Sequence, residues 1–366
     1  MWGDPGVTEL LQLAENSISV PSVAGGQNSI TMSRAGILKR MRFRMVTNVD
    51  VTGFTTAPGK SAYGPLAAIN NIAVKANGSI DLFNMSGFGM TVYNEVENRD
   101  GSILDHPVTI AAFNVADAIE QTSYAAIGAA GNFTAAMPFE VQFSLPMNIR
   151  GLNQEIGLWI LQNQAIDVNC KVQFNPQWQL AAANNAVYSA GTGSTYALNA
   201  ASQLFIEREL YDVPADPKNF PRLDWAHQII EYSVPWTGNF SRFNLPRSGL
   251  LLRAIIINLD TTAGGGAPVE YTDVNSCAWI YGANRTPIQR TGSFITQEYL
   301  QDYGRLPSKG VLVLDFYKWG FDGLKLVKDT DVLANLRIET KFTATAAGTQ
   351  LVLLDRLYPV AASAQQ

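Results

Sequence analysis

The sequence GILKR at residues 36–40 returns as GLLLR at residues 249–253, in the other half of the chain. In both places a glycine precedes a run rich in apolar residues that ends at an arginine. A glycine followed by such a run is typical of a turn that leads into a β-strand. One match of this length is within chance, so its meaning depends on the sequence around it.

Two further matches follow the first in the same order in each half. NCKV at residues 169–172 is matched by NLRI at 335–338, and QLFI at 203–206 by QLVL at 350–353. Each lies in a stretch with strand-like composition. Three matches in order predict two copies of one β-unit, joined head to tail. A duplicated β-unit of this size is more typical of a structural protein than of an enzyme.

Strand signals dominate the rest of the chain. Residues 40–45, 139–145 and 170–174 alternate between apolar and polar side chains, which is the pattern of a strand with one buried face. Residues 255–257 and 311–314 have no polar partner face, so we expect strands that are buried on both sides. The sequence therefore predicts an all-β protein.

The remaining segments suggest how the two units are connected. Residues 5–14 (PGVTELLQLA) fit a short N-terminal helix, with Asp4 as cap and Pro5 in its first position. Loop insertions are expected in the first unit, at residues 99–137 and 181–200. The sequence predicts four segments in chain order: an N-terminal segment 1–20, a first unit 21–213, a proline-rich linker 214–221, and a second unit with the C-terminal tail 222–366.

Composition restricts the function. Only 16% of the 366 residues are charged, although 47% are hydrophobic. Soluble chains usually carry about a quarter charged residues. Either the surface is covered by copies of the chain, or uncharged polar side chains supply its polarity. The net charge of −5 argues against nucleic-acid backbone binding.

Cys170 and Cys277 fall in different halves and do not suggest a disulfide framework. We expect both to be free, buried thiols, which fits assembly in a reducing compartment. The N-terminus lacks the pattern of a signal peptide, and no apolar run reaches the length of a membrane span.

The residues that could support catalysis or metal binding form no known pattern. His106 and His227 are the only histidines, and neither lies at a zinc-ligand spacing. Asp105 is adjacent to His106, but neighbouring side chains on a strand point apart. We therefore predict no catalytic residue, no cofactor and no metal ligand, and we expect the chain not to be an enzyme.

Two short patterns are incomplete. The segment 59–61 (GKS) resembles the end of a phosphate-binding loop, but the first glycine of that loop is replaced by Phe54. Asp329 and Asp331 could begin a calcium loop, yet its required glycine is replaced by Ala334 and its closing glutamate by Thr340. An EF-hand is excluded, and a structural calcium ion of another kind stays open.

Arg40, Arg42 and Arg44 lie on one face of a predicted strand. They are either a solvated row that pairs with nearby carboxylates, or a surface that meets an acidic neighbour or lipid headgroups. The second copy keeps only the first of the three, as Arg253, so the fold does not require the row.

The chain resembles the double jelly-roll major capsid proteins of tectivirus-like, membrane-containing icosahedral phages. The resemblance is spread over most of residues 30–360 and depends on the order of several short sequence segments. These segments are residues 36–52, the pair Gly64-Pro65, residues 139–146, residues 171–175 with the loop to 207–214, residues 307–311, and the closing strand region 337–358.

This resemblance implies two eight-stranded antiparallel jelly rolls in tandem. It also implies a structural role in the virion, in which homotrimers with six similar jelly rolls tile an icosahedral shell over an internal membrane. The implied partners are other copies of the chain, neighbouring capsomers, penton or vertex proteins and minor capsid proteins. Residues 1–20 and 360–366 would lie at the base, near the membrane. Assembly would take place in the host cytoplasm, without direct nucleic-acid binding.

Two alternatives remain at this point. The chain could be another virion or surface β-protein, such as a vertex or spike component, although it shows no fibre-like repeats. It could also be a carbohydrate-active β-sandwich protein, although its tryptophans are scattered rather than clustered.

Overall fold

The fold is described from a computed structural model. The described residues are 10–14, 18–19, 26–32, 34–52, 69–78, 80–97, 135–147, 149, 156–161, 167–175, 195–198, 203–214, 222–246, 249–261, 267–282, 285–304, 306–316, 328–329, 335–343 and 347–360.

Strands make up most of the described chain, and two short helices interrupt them. The strands are β1 (Leu10–Ala14), β2 (Ile18–Ser19), β3 (Gln27–Thr31), β4 (Ile37–Thr52), β5 (Ile69–Ala76), β6 (Ile80–Met85), β7 (Ala135–Pro146), β8 (Ile156–Gly157), β9 (Trp159–Ile160), β10 (Val168–Phe174), β11 (Thr195–Leu198), β12 (Gln203–Tyr211), β13 (Arg222–Thr237), β14 (Phe240–Asn244), β15 (Leu250–Asp260), β16 (Ala267–Pro268), β17 (Val274–Tyr281), β18 (Arg285–Arg290), β19 (Val311–Asp315), β20 (Lys328–Asp329), β21 (Arg337–Phe342) and β22 (Ala347–Pro359). The helices are α1 (Gly87–Glu97) and α2 (Gly292–Tyr303).

The strands pair in two sheets. One has the order β1-β12-β4-β11, with β7 and β9 also paired to β4. The other runs β18-β17-β21-β14-β13-β6-β5-β10-β3, and through β13 it is joined to β22 and β15. Nearly all pairs are antiparallel, so the predicted all-β, antiparallel architecture is confirmed.

The predicted duplication is visible element by element. In the first half, β4 pairs with β12, β7 and β9, while β10 lies between β3 and β5. In the second half, β15 pairs with β22, β19 and β20, while β21 lies between β14 and β17. Helix α1 follows β6 as α2 follows β18. We call residues 10–211 the first unit and residues 222–359 the second unit.

The first sequence match marks a turn in each unit that requires glycine. Gly36 has a φ of 66° and Gly249 a φ of 68°, a conformation that side chains disfavour. A Cβ atom at Gly36 would lie 2.7 Å from the carbonyl oxygen of Tyr211, and one at Gly249 would lie 2.0 Å from that of Leu357. Glycine recurs here because the backbone of the neighbouring strand passes too close for any side chain.

The register of the strands places one acid–base pair at the same position in both units. Arg40 lies opposite Glu209, and Arg253 lies opposite Asp355, each just after a register irregularity. The same register shows that the third sequence match, 203–206 with 350–353, is displaced by one residue from the structural equivalence. The duplication is confirmed, with this correction to its alignment.

The predicted strand faces are confirmed for β4, β10, β15 and β19, but Ser144 of β7, predicted on the polar face, is buried. Met41, Phe43 and Met45 are buried, while Arg42 and Arg44 are exposed. Every residue of β19 is buried, and all of β15 is buried except its two end residues, as expected for strands covered on both faces.

The predicted N-terminal helix is wrong at Leu10–Ala14, which forms strand β1 along β12. Residues 5–9 lie outside the described residues. An apolar run of this length fits a strand as well as a helix, and β12 offers a row of backbone hydrogen-bonding groups that only a strand can satisfy. The short helices of the fold are α1 and α2 instead.

The loop insertions predicted at 99–137 and 181–200 lie mostly outside the described residues, apart from the start of β7 and the strand β11. The linker 214–221 is described only at Pro214. Within the described part of the chain, no helix is long and apolar enough to cross a membrane.

Candidate functional site

The second unit has a sheet that is buried on both faces. In strand β15, Ala254 and Ile256 point into the core of the second unit. Ile255 and Ile257 point the other way and belong to an apolar cluster that also contains Met90 of α1. The outer face of this sheet is therefore covered by the first unit. The two units of one chain share a continuous apolar contact.

Helix α1 is the part of the first unit that fills this contact. All its residues with described burial are buried except Glu97, which is half-buried. At its start, Oε2 of Glu231 in β13 accepts hydrogen bonds from the backbone N–H (3.0 Å) and hydroxyl (2.8 Å) of Ser86. Further along, Glu95 accepts hydrogen bonds from the N–H (3.0 Å) and hydroxyl (2.5 Å) of Ser308.

Charged groups lie at the centre of the contact. Nη2 of Arg253 lies 2.8 Å from Oδ2 of Asp355 and 2.5 Å from Oε2 of Glu97. Burial alone would lower the pKa of Arg253, but Glu97, Asp355 and Asp315 together hold it well above its usual value. The guanidinium is thus a fixed cation that two units share.

His227 completes this cluster. Its Nε2 lies 2.7 Å from Oδ1 of Asp355, and its Nδ1 lies 2.9 Å from the carbonyl oxygen of Pro146 in the first unit. Burial would lower the pKa of His227, but Asp355, Glu97 and the Pro146 carbonyl raise it by more, so it lies above its ordinary value. Both ring nitrogens face acceptors, and a doubly protonated ring donates to both.

The same cluster lowers the pKa of Asp355. Burial would raise the pKa of this carboxyl, but Arg253 and His227 lower it by more. The aspartate and the histidine therefore each stabilise the charged form of the other.

The cluster has the residue types of a catalytic pair but not the access that catalysis needs. His227 is 2% exposed and Asp355 is 0% exposed, and each ring nitrogen of the histidine already has a partner. A general base must have a free nitrogen within reach of a substrate. The arrangement instead joins strands β7, β13, β15 and β22 to helix α1. No group of metal-binding side chains occurs among the described residues.

A backbone contact accompanies these side chains. Strand β6 of the first unit pairs in parallel with β13 of the second, with Phe83 opposite Ile229 and Asn84 opposite Ile230. One sheet therefore continues from unit to unit.

Comparison with known proteins gives a fold but no sequence relative. No family model and no curated protein sequence matches the chain. A crystal structure of the major capsid protein of STIV, the Sulfolobus turreted icosahedral virus, superposes with a TM-score of 0.67 at 13% identity, covering 96% of this chain and 97% of that one. The fold is a double jelly roll.

Two further structures share it. The capsid of the virus PBCV-1 gives a TM-score of 0.59 at 10% identity over 96% of this chain and 93% of that one. The major capsid protein of bacteriophage PM2 gives 0.52 at 12% identity over 97% and 99%. Each match spans both jelly rolls.

The arginine row predicted from sequence lies on the outer face of the first jelly roll. Arg42 forms an ion pair with Glu209, and Nε of Arg40 lies 3.9 Å from the same carboxylate. Arg44 lies over the ring of Phe205, 5.7 Å from its centroid. Pairing with a nearby carboxylate is thus confirmed for two of the three.

The cysteines of the double jelly roll behave as predicted. Cys170 and Cys277 are free and buried, and burial raises the pKa of each thiol to about 12. Trp159, Trp236 and Trp279 are buried in the cores.

Among the remaining candidates, His106, the segment 59–61 and Asp331 lie outside the described residues, and Asp329 ends the short strand β20.

Sequence reasoning did not find the cluster that joins the jelly rolls. Arg253 and Asp355 each carry a signal, because each interrupts a run of apolar residues in a predicted strand. A charge at a buried strand position needs a partner. The partners lie too far apart in sequence for spacing alone to connect them.

Proposed function

We propose that the chain is the major capsid protein of an icosahedral virus with an internal membrane, and that it acts as a structural subunit without enzymatic activity. The observation that supports this most is the match of both jelly rolls, over almost the whole length of each chain, to a viral major capsid protein. A match confined to one jelly roll would leave many other functions open.

The subunit is a homotrimer in this proposal. Three copies place six similar jelly rolls around one axis, which gives a threefold molecule a nearly hexagonal outline. The duplication supports it, because a chain with two equivalent units lets three copies fill six equivalent places. The capsomers tile the shell and meet vertex and minor capsid proteins, and assembly takes place in the host cytoplasm.

We also propose the division predicted from sequence, with a first jelly roll at 21–213, a linker at 214–221 and a second jelly roll at 222–366. The N-terminal segment 1–20 would then lie at the base of the capsomer. Because its residues 10–14 pair with β12, this segment is also part of the first jelly roll's sheet.

The solution mass tests the proposal. Light scattering on the purified protein should give three times the chain mass of 39.8 kDa, and electron microscopy should show a hexagonal outline. A monomer at every concentration would contradict the trimer and favour a single-chain role, such as a spike component or a carbohydrate-binding module. Binding to a glycan panel would then separate those two.

A further inference from the structure

Helix α2 is the counterpart of α1, but its outer side is exposed. The two helices align by their caps: the Ser86 hydroxyl accepts from the N–H of Gly89, and the Thr291 hydroxyl accepts from that of Phe294. Phe294 therefore takes the place of Gly89, whose Cα lies so close to Glu231 of the other unit that an added Cβ would be 2.0 Å from its carboxylate.

The side of each helix that carries Gly89 or Phe294 continues along the helix. On α1 it carries Val92 and Glu95, which are buried. At the equivalent positions α2 carries Gln297 and Leu300, which are exposed. Leu300 is 41% exposed and Phe294 is 54% exposed, although Arg290 lies over the Phe294 ring. A side that one helix buries against a jelly roll is open to solvent on the other.

The surface on which α1 packs also has an uncovered counterpart. Ile255 and Ile257 of β15 lie under the first unit, and the register places them where β4 carries Arg42 and Arg44. That outer face of the first unit also carries Phe205, which is 38% exposed. Two exposed aromatic side chains, one on each counterpart surface, are thus left without cover from the other unit.

The strand edges show the same difference between a pairing made within the chain and its exposed counterpart. Strand β6 pairs with β13 across the two units. Their counterparts are β18 and β1, which lie at the ends of the described strand orders of the two sheets. An edge strand exposes unpaired backbone groups that favour pairing with another chain.

Charge is complementary as well. Glu97 of α1 binds Arg253, and the helix alignment places the exposed Asp302 of α2 at the position of Glu97. The counterpart of Arg253 is Arg40, which is half-buried beside the exposed Arg42. An acidic helix end and an arginine-bearing sheet face therefore lie on the two open surfaces.

From these four correspondences we infer that α2 and β18 of one copy dock on the first unit of a second copy, on β1 and the face of Arg42, Arg44 and Phe205. The contact repeats between chains the one that joins the units within a chain. It is head-to-tail, so each copy uses both surfaces and the copies can close into a ring. The inference rests on the proposed trimer and identifies the surfaces that form it.

Two variants separate the surfaces. A helix variant, Phe294→Asp with Leu300→Asp, alters only α2. A sheet variant, Arg44→Glu with Phe205→Glu, alters only the face of the first unit. Each should weaken self-association about 30-fold or more, as loss of central interface residues does. Lys171→Glu and Lys341→Glu, at exposed positions on other strands, are the matched controls and should remain trimeric.

The mixture of the two variants is the decisive measurement. A head-to-tail contact leaves one intact pair of surfaces between them, so the mixture should form a one-to-one heterodimer of twice 39.8 kDa that does not grow further. Formation of the heterodimer also shows that both variants are folded.

Other outcomes contradict the inference in distinguishable ways. If the wild type is a trimer and both variants remain trimers, the proposed function stands and these surfaces are wrong. If the variants are monomers but their mixture forms no heterodimer, the contact is not head-to-tail between these surfaces. If the wild type is itself a monomer, the proposed trimer fails and the inference fails with it.

Discussion

Nη2 of Arg253 lies 2.5 Å from Oε2 of Glu97, and this ion pair bonds a strand of the second unit to the helix of the first. The same guanidinium binds Asp355, which in turn binds His227. A single cluster therefore contributes to the stability of each unit and to the contact between them.

Removing the cation of this cluster should be costly. Arg253→Ala leaves the buried Asp355 with His227 as its charged partner and removes the partner of the half-buried Glu97. Loss of one member of a buried pair typically costs about 3–5 kcal/mol of the free energy of unfolding. Urea denaturation measures the loss. Arg34→Ala is the control, because Arg34 and Asp167 form a pair that is about half exposed, and such pairs contribute below about 1 kcal/mol. Equal losses in the two variants would contradict the assigned role of Arg253.

Stability should depend on the protonation of His227. Its pKa is raised above the ordinary 6.5 in the folded chain, so the folded state binds the proton more tightly than the unfolded state. The stabilisation is complete below the unfolded pKa and is lost as pH rises through the folded pKa. Denaturation curves across that range should show a falling free energy of unfolding. The His227→Gln variant should lack this part of the fall, and an unchanged pH profile would refute the prediction.

Asp355 should produce the opposite dependence in acid. Its pKa is lowered below the ordinary 3.8, so its contribution is present above that value and is lost as pH falls through the folded pKa. The Asp355→Asn variant should lose less stability than the wild type between neutral and acidic pH. Parallel acid profiles for the two proteins would count against a charged Asp355.

The glycine that immediately precedes β15 should not tolerate a side chain. Gly249→Ala combines a φ of 68° with a Cβ placed 2.0 Å from the carbonyl oxygen of Leu357, and we expect a loss of about 3 kcal/mol or more. Gly238→Ala is the matched control, because Gly238 has a φ of 71° but nothing within 4 Å of its Cβ. Thermal unfolding should therefore show a small shift for Gly238→Ala and a large one for Gly249→Ala.

The two cysteines report unfolding directly. Cys170 and Cys277 are buried and have pKa values of about 12, so neither forms a thiolate at neutral pH in the folded chain. A thiol reagent should modify neither in buffer and both in denaturant. Rapid modification of one cysteine in buffer would show that its jelly roll opens locally.

The duplication could be predicted from sequence because backbone geometry preserves short signals. Gly36 and Gly249 recur since a strand passes too close for a side chain, and Arg40 and Arg253 recur since each faces an acid across the register. The buried faces of β4 and β10 followed from alternation, which depends only on the period of a strand.

Other features depend on contacts that no local pattern contains. The stretch Leu10–Ala14 was predicted as helix but pairs with β12, because the edge of a distant strand decides its conformation. The cluster at the unit contact was missed because Glu97, His227 and Asp355 meet only after both units have folded. Their meeting is a result of tertiary structure and not of spacing.

The two units carry different side chains at equivalent positions, and this difference separates the contact within one chain from the proposed contact between chains. Ile255 and Ile257 find their cover on the same chain, so that contact forms at any dilution. Arg42 and Arg44 hold the equivalent positions in the first unit and are exposed. In the proposed trimer, the association of folded chains would therefore depend on protein concentration and on the ionic strength of the medium. In that trimer, these few strand residues would make the first unit the half that contacts a second chain.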